Sequence, residues 1–110
     1  MKTVTIKASK ILNWEEFHAY FSDLFGFPDF YGKNMNAWID CITYLDDPRS
    51  GMNSKISVAS NDLIVFEIDD AKLLKEQAED IYLSLIECCA FVNHRRMESG
   101  GNPLIVVSFF

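Results

Sequence analysis

Three strand-like segments, each separated from the next by helical sequence, constrain the fold of this chain more than any other feature. Residues 63–68 (LIVFEI) are nearly all apolar, which is typical of a strand covered on both faces. Residues 104–109 (LIVVSF) form a second apolar run, and residues 3–6 alternate like a half-buried strand. Strands joined through helices pair in parallel, with right-handed crossovers. The sequence therefore predicts an α/β fold, a three-stranded parallel β-sheet packed against helices.

The segments between these strands carry the signals of helix ends. Asn13 followed by Glu16 is typical of a capping box, and Gly26 is placed to end the same helix. A longer helical period follows the second strand, and we expect a break in it near Gln77. A chain of 110 residues buries about two-thirds of its unfolded surface. We therefore expect residues 1–110 to form a single domain.

The charge and the cysteines limit the functional classes. Ten Lys and Arg against sixteen Asp and Glu give a net charge of -6, which argues against nucleic acid or an anionic membrane as the partner. A basic partner suits that charge, although it is also ordinary for a small soluble domain. The three cysteines form no C-x-x-C pair and fall within apolar helical patterns, as reduced buried thiols do. With no segment resembling a signal peptide or a membrane span, we expect a cytoplasmic protein.

Catalytic and metal-binding patterns are weak. Cys88 or Cys89 with His94 is the best candidate for a nucleophile and its base, but no third group orients them. His18 with an acid is no stronger. Two distant histidines and three cysteines in apolar patterns do not make a metal site, and no glycine-rich phosphate motif is present. We expect neither an enzyme nor a cofactor.

The most informative stretch is residues 27–47 (FPDFYGKNMNAWIDCITYLDD). It begins with a turn rich in aromatic residues, after which Asn34 is placed to cap a helix. One face of that helix is apolar and includes Trp38, which we expect in the core. The opposite face brings together four residues at helical spacing: Asn36, Ile39, Asp40 and Thr43.

This stretch resembles the central part of proteins of the barstar family, which are small intracellular inhibitors of the ribonuclease barnase. The matching residues are Pro28, Tyr31, Gly32, Asn34, Ala37, Asp40, Cys41 and Thr43. In that family the turn and the helix enter the nuclease active site, where acidic groups take the places of substrate phosphates. The resemblance implies the barstar fold and places Asp40 on the principal acid of the inhibitor.

The departures from the family pattern are informative as well. Asn36 stands where the family has a second acid, Ile39 where it has a tryptophan, and Phe30 where it has a tyrosine. The negative potential beside Asp40 is therefore expected to be weaker, which favours a different partner nuclease. Ile39 is either a core flank covered by residues 48–58, which look like an insertion, or an exposed interface anchor, and we favour the anchor.

Two acids leave alternatives open. The resemblance aligns Glu87 with an acid that the family uses against its nuclease, whereas the helical pattern alone places it on a solvated face with Asp80 and Ser84. Asp40 is an interface acid by resemblance. The alternative is that it bonds within its own domain, for example to the turn at residues 30–32.

The sequence thus predicts an intracellular inhibitor, an immunity protein or antitoxin, that forms a 1:1 complex with a basic ribonuclease toxin. The alternative is an acidic docking module of barstar-like fold with a non-nuclease partner. The predicted partner-binding residues are Phe30, Tyr31, Gly32, Asn34, Asn36, Ile39, Asp40, Thr43, Tyr44, Asp46, Asp47 and Glu87.

Overall fold

A computed structural model describes all 110 residues and contains one three-stranded parallel sheet. The strands are β1 (Lys2–Lys7), β2 (Ile64–Asp69) and β3 (Ile105–Phe109), and the helices are α1 (Trp14–Phe25), α2 (Met35–Thr43), α3 (Ala71–Gln77) and α4 (Glu79–Glu98). Strand β2 lies in the middle, with Ile64 beside Lys2 of β1 and Ile105 of β3. The predicted fold class is therefore confirmed.

The helices cover only one face of the sheet. In β2 the side chains of Ile64, Phe66 and Ile68 are buried, whereas Val65 and Glu67 between them are partly exposed. The prediction that this run is covered on both faces is therefore wrong. The strand order β1-β2-β3 explains the difference, because two successive right-handed crossovers in the same direction place their helices on the same side.

The core on the covered face is built around aromatic rings. Phe17, Phe21 and Phe25 recur along the inner side of α1 and are fully buried. The ring of Phe21 lies edge-on to Trp38 of α2 at 5.6 Å and contacts Phe66 of β2 at 6.5 Å between centroids. This cluster fixes α1 and α2 against the sheet, so one side of α2 is committed to the core.

The predicted helix ends are confirmed. The side chain of Asn13 accepts a hydrogen bond from the Glu16 amide at 2.8 Å, and Gly26 ends α1 in the left-handed region with φ 72°. The long helical segment is interrupted at Ala78, next to the predicted break near Gln77, which separates α3 from α4.

Residues 48–58 pack against the ends of two helices. The amides of Ser54 and Lys55 donate to the carbonyls of Gly26 and Phe25 at 2.9 and 3.1 Å, which joins the segment to the end of α1. The buried side chain of Asn53 donates from Nδ2 to the Cys41 carbonyl of α2 at 2.7 Å. The segment is thus tied to both helices that flank the turn before α2.

Candidate protein-binding surface

The turn that precedes α2 is fixed on its inner side by a buried tyrosine and exposes an aromatic ring on its outer side. Tyr31 is only 8% exposed, and its hydroxyl lies 2.6 Å from Nδ1 of the buried His18. Burial raises the pKa of Tyr31 and, together with the charge of Lys33, lowers the pKa of His18, so this is a hydrogen bond between neutral groups. Phe30 beside it is 78% exposed.

Gly32 and Asn34 shape the entry into α2. The Asn34 side chain accepts from the Ala37 amide at 2.8 Å, which confirms the predicted cap, and donates to the Gly32 carbonyl at 3.2 Å. A Cβ atom on Gly32 would lie 3.2 Å from Nδ2 of Asn34. Since both polar groups of Asn34 are used within the chain, these two residues position the surface.

The outer face of α2 presents a short row of side chains. Asn36 and Asp40 are exposed, and Ile39 between them is partly buried and packs against the core. The hydroxyl of Thr43 donates back to the Ile39 carbonyl at 2.6 Å, so its proton is not available to a partner. Trp38 is fully buried, as predicted. Ile39 therefore offers a partner only part of its surface.

The carboxylate of Asp40 has one partner within the chain, and it is not the turn. Nη1 of Arg95, in the last turns of α4, donates to Oδ1 of Asp40 at 3.0 Å. The two side chains are 56% and 42% exposed, and the contact uses only one carboxylate oxygen. Asp40 is thus an exposed acid that shares a surface with an exposed cation.

Asp46 differs sharply from Asp40. Arg96 donates to both of its carboxylate oxygens, at 2.9 and 2.6 Å, and the side chains of the pair are only 13% and 15% exposed. Arg96 also donates to the carbonyls of Thr43 and Asn102 at 3.1 and 3.2 Å. Both oxygens of Asp46 are therefore occupied by a contact that joins the end of α2 to α4.

Of the remaining predicted residues, two lie at or just beyond the end of α2 and one lies apart on α4. Tyr44 is 41% exposed at the end of α2, and the exposed Asp47 accepts from the Arg49 amide at 3.2 Å in the following 3₁₀ turn. Glu87 is exposed on α4, but it is eight residues before Arg95, which is about 12 Å along the helix axis. The side chain that meets Asp40 from α4 is that of Arg95, so Glu87 lies apart from the centre.

A shallow cavity of about 250 Å³ marks the middle of the surface. Its lining residues are Phe30, Tyr31, Gly32, Ala37, Asp40, Cys41 and Met52. Met52 comes from residues 48–58 and was not among the predicted residues. The only signal for it in the sequence was that this segment begins beside the predicted binding face.

The residues considered for catalysis or metal binding have the following surroundings. His94 pairs with Glu98 at 2.9 Å, one helical turn away. Burial raises the pKa of both Cys88 and Cys89, which disfavours the reactive thiolate. No group of three His, Cys, Asp or Glu side chains is placed to hold a metal ion, and no helix is both long and apolar enough to cross a membrane.

Two comparisons with known proteins bear on this surface. Residues 1–108 match the model of the family described as Barstar (barnase inhibitor). A curated protein of Bacillus subtilis (strain 168), named "Putative ribonuclease inhibitor YrdF", is 27% identical over 82 residues. That alignment covers 74% of this chain and 90% of the relative.

Proposed function

The chain belongs to the barstar family, and on that premise we propose that it inhibits a ribonuclease by covering its active site with the turn before α2 and the outer face of α2. The observation that carries this proposal is the exposed carboxylate of Asp40, which stands next to the exposed ring of Phe30. Such a pairing of an acid with an aromatic group suits a site that binds phosphates and stacked bases.

The inhibition would need no chemistry from this chain. The Oδ2 atom of Asp40 accepts no hydrogen bond within the chain, so it can accept one from a cation of the nuclease that otherwise holds a phosphate. Phe30 and the accessible part of Ile39 supply apolar area around the acid, and the net charge of -6 attracts a basic enzyme. The partner is blocked because its substrate cannot enter.

We further propose that the partner is a ribonuclease toxin, that the complex contains one copy of each protein, and that the chain serves as an immunity protein. The support is indirect: the turn, α2 and Met52 line one small cavity of about 250 Å³, and a single surface of this size suits a single partner molecule. The curated relative carries ribonuclease inhibition in its name, in agreement with this class of partner.

The test is inhibition of purified ribonucleases, namely barnase and any ribonuclease encoded beside this chain, measured by cleavage of a fluorogenic RNA oligonucleotide. We expect the chain to abolish cleavage at a 1:1 molar ratio for its own partner. Asp40→Ala should lose about 2–5 kcal/mol of binding free energy or more, because the nuclease cations are left buried without their acid.

Glu76→Ala is the matched control, since it removes the same charge from the exposed surface of α3. We expect it to inhibit as well as the unaltered chain. The proposal fails if the chain slows none of these ribonucleases, or if Asp40→Ala inhibits as strongly as Glu76→Ala. Binding without inhibition would instead favour the docking module that the sequence left as the alternative.

A further inference from the structure

The contact between Arg95 and Asp40 places a positive charge inside the surface that should receive a basic enzyme. Nη1 of Arg95 lies 3.0 Å from Oδ1 of Asp40, and both side chains remain open to solvent. Arg95 makes this one side-chain hydrogen bond, whereas the neighbouring Arg96 is fixed by four. Arg95 therefore lies at the surface, and both it and the Asp40 carboxylate remain accessible to solvent.

No other acid is bonded to Arg95; Asp47 lines a cavity with it beyond the end of α2, and its carboxylate accepts from the Arg49 amide. Asn36 is neutral, Asp46 is fully engaged by Arg96, and Glu87 lies about 12 Å along α4 from Arg95. A cation that approaches Oδ2 of Asp40 consequently also meets the guanidinium of Arg95. The guanidinium and the approaching cation repel each other, and the repulsion grows as water is excluded from the interface.

We propose that Arg95 is a specificity-determining residue: it weakens binding to ribonucleases whose active site presents only positive charge and admits those that also offer an acceptor for a guanidinium. This inference rests on the proposed function, since it concerns the choice among nucleases. Discrimination by a repulsive group is a common way to exclude a wrong partner. The exposed position of Arg95 beside the acid suits that role.

The test uses barnase as the probe, with cleavage of the fluorogenic RNA as the readout, and compares the unaltered chain with Arg95→Ala, Arg95→Lys, Asp40→Ala and the double variant Asp40→Ala/Arg95→Ala. An exposed ion pair of this kind changes an equilibrium by up to about fivefold. We expect Arg95→Ala to lower the inhibition constant about fivefold and Arg95→Lys to change it little. In the Asp40→Ala background, Arg95→Ala should still lower the inhibition constant, because the guanidinium repels the nuclease cations whether or not the acid is present. Thermal unfolding confirms that each variant is folded.

Three outcomes would overturn the inference: an inhibition constant that Arg95→Ala leaves unchanged or raises, a gain that disappears in the Asp40→Ala background, or no inhibition of barnase by any variant. None of these decides the proposed function, which depends on whether the unaltered chain inhibits any ribonuclease. Suppose that the unaltered chain inhibits another ribonuclease but Arg95→Ala does not lower the inhibition constant for barnase. The proposed function then stands, and the role of Arg95 in specificity is wrong.

Discussion

Two ion pairs connect the region of α2 to α4, and the structure predicts very different costs for breaking them. Asp46→Asn removes the charge that compensates Arg96 in a pair that is only 13% and 15% exposed. Asp40→Asn makes the same chemical change in a pair that is 56% and 42% exposed. The second variant is therefore a matched control for the first.

The magnitudes follow from burial and from the hydrogen bonds that remain. Leaving one member of a fully buried pair without its partner costs about 3–5 kcal/mol. Arg96 keeps its bonds to the carbonyls of Thr43 and Asn102, and the site is not fully dry, so we expect about 2–3 kcal/mol for Asp46→Asn. Exposed pairs contribute about 0–1 kcal/mol, so Asp40→Asn should cost less than about 1 kcal/mol.

Urea unfolding followed by tryptophan fluorescence measures both free energies. In thermal unfolding the difference appears as a loss of roughly 8–12 °C for Asp46→Asn, given about 4 °C per kcal/mol for a domain of this size. Equal losses of unfolding free energy in Asp46→Asn and Asp40→Asn would refute this reasoning, because the burial of an ion pair would then not set the cost of breaking it. A stable Asp46→Asn variant that binds its nuclease poorly would return Asp46 to the interface.

Two further predictions concern the turn and the end of α1. Because burial holds the pKa of His18 below its ordinary value of 6.5, the unfolded chain binds more protons than the folded one below that pH, and stability should fall as the pH is lowered from about 6.5. Urea midpoints at several pH values should show a smaller loss in His18→Gln, and an equal loss would contradict this assignment. Gly26→Ala should destabilise more than Gly100→Ala, since both glycines have positive φ but only at Gly26 does a new Cβ collide, with Ser54 and Lys55. Similar melting temperatures for the two variants would show that the collision is relieved.

The elements of the fold were predictable because their signals are local. The Asn34 cap, the Gly26 stop and the burial of Trp38 follow from residue type and spacing within a few positions. The apolar character of residues 63–68 led to the wrong prediction that both faces of β2 are covered, whereas one face is open. The order and handedness of the connections, which place the helices on one side, are a better guide than the composition of a single strand.

The site was only partly predictable for a related reason. Asp40 was predicted from the family resemblance and Phe30 from its place in the turn before α2; both are exposed, and their contact with a partner stays a prediction. The pairs Asp40–Arg95 and Asp46–Arg96 join residues 55 and 50 positions apart, which meet only because α4 packs against α2. No local sequence pattern predicts these two contacts between α4 and the region of α2. In the sequence, the two arginines are only two adjacent cations in the last turns of a helix.

The parallel sheet also has a consequence for how the protein is made. Lys2 of β1 pairs with Ile64 of β2, so the first strand has no partner until more than sixty further residues exist. At about 5–20 residues per second on the ribosome, that interval lasts roughly 3–12 s, and pairings this distant in sequence are slow to form. Arg95 and β3 follow later still, so Asp40 acquires its neighbour only after 55 further residues have been made. The surface that we propose as the binding site is therefore complete only after α4 has been made and has packed against α2.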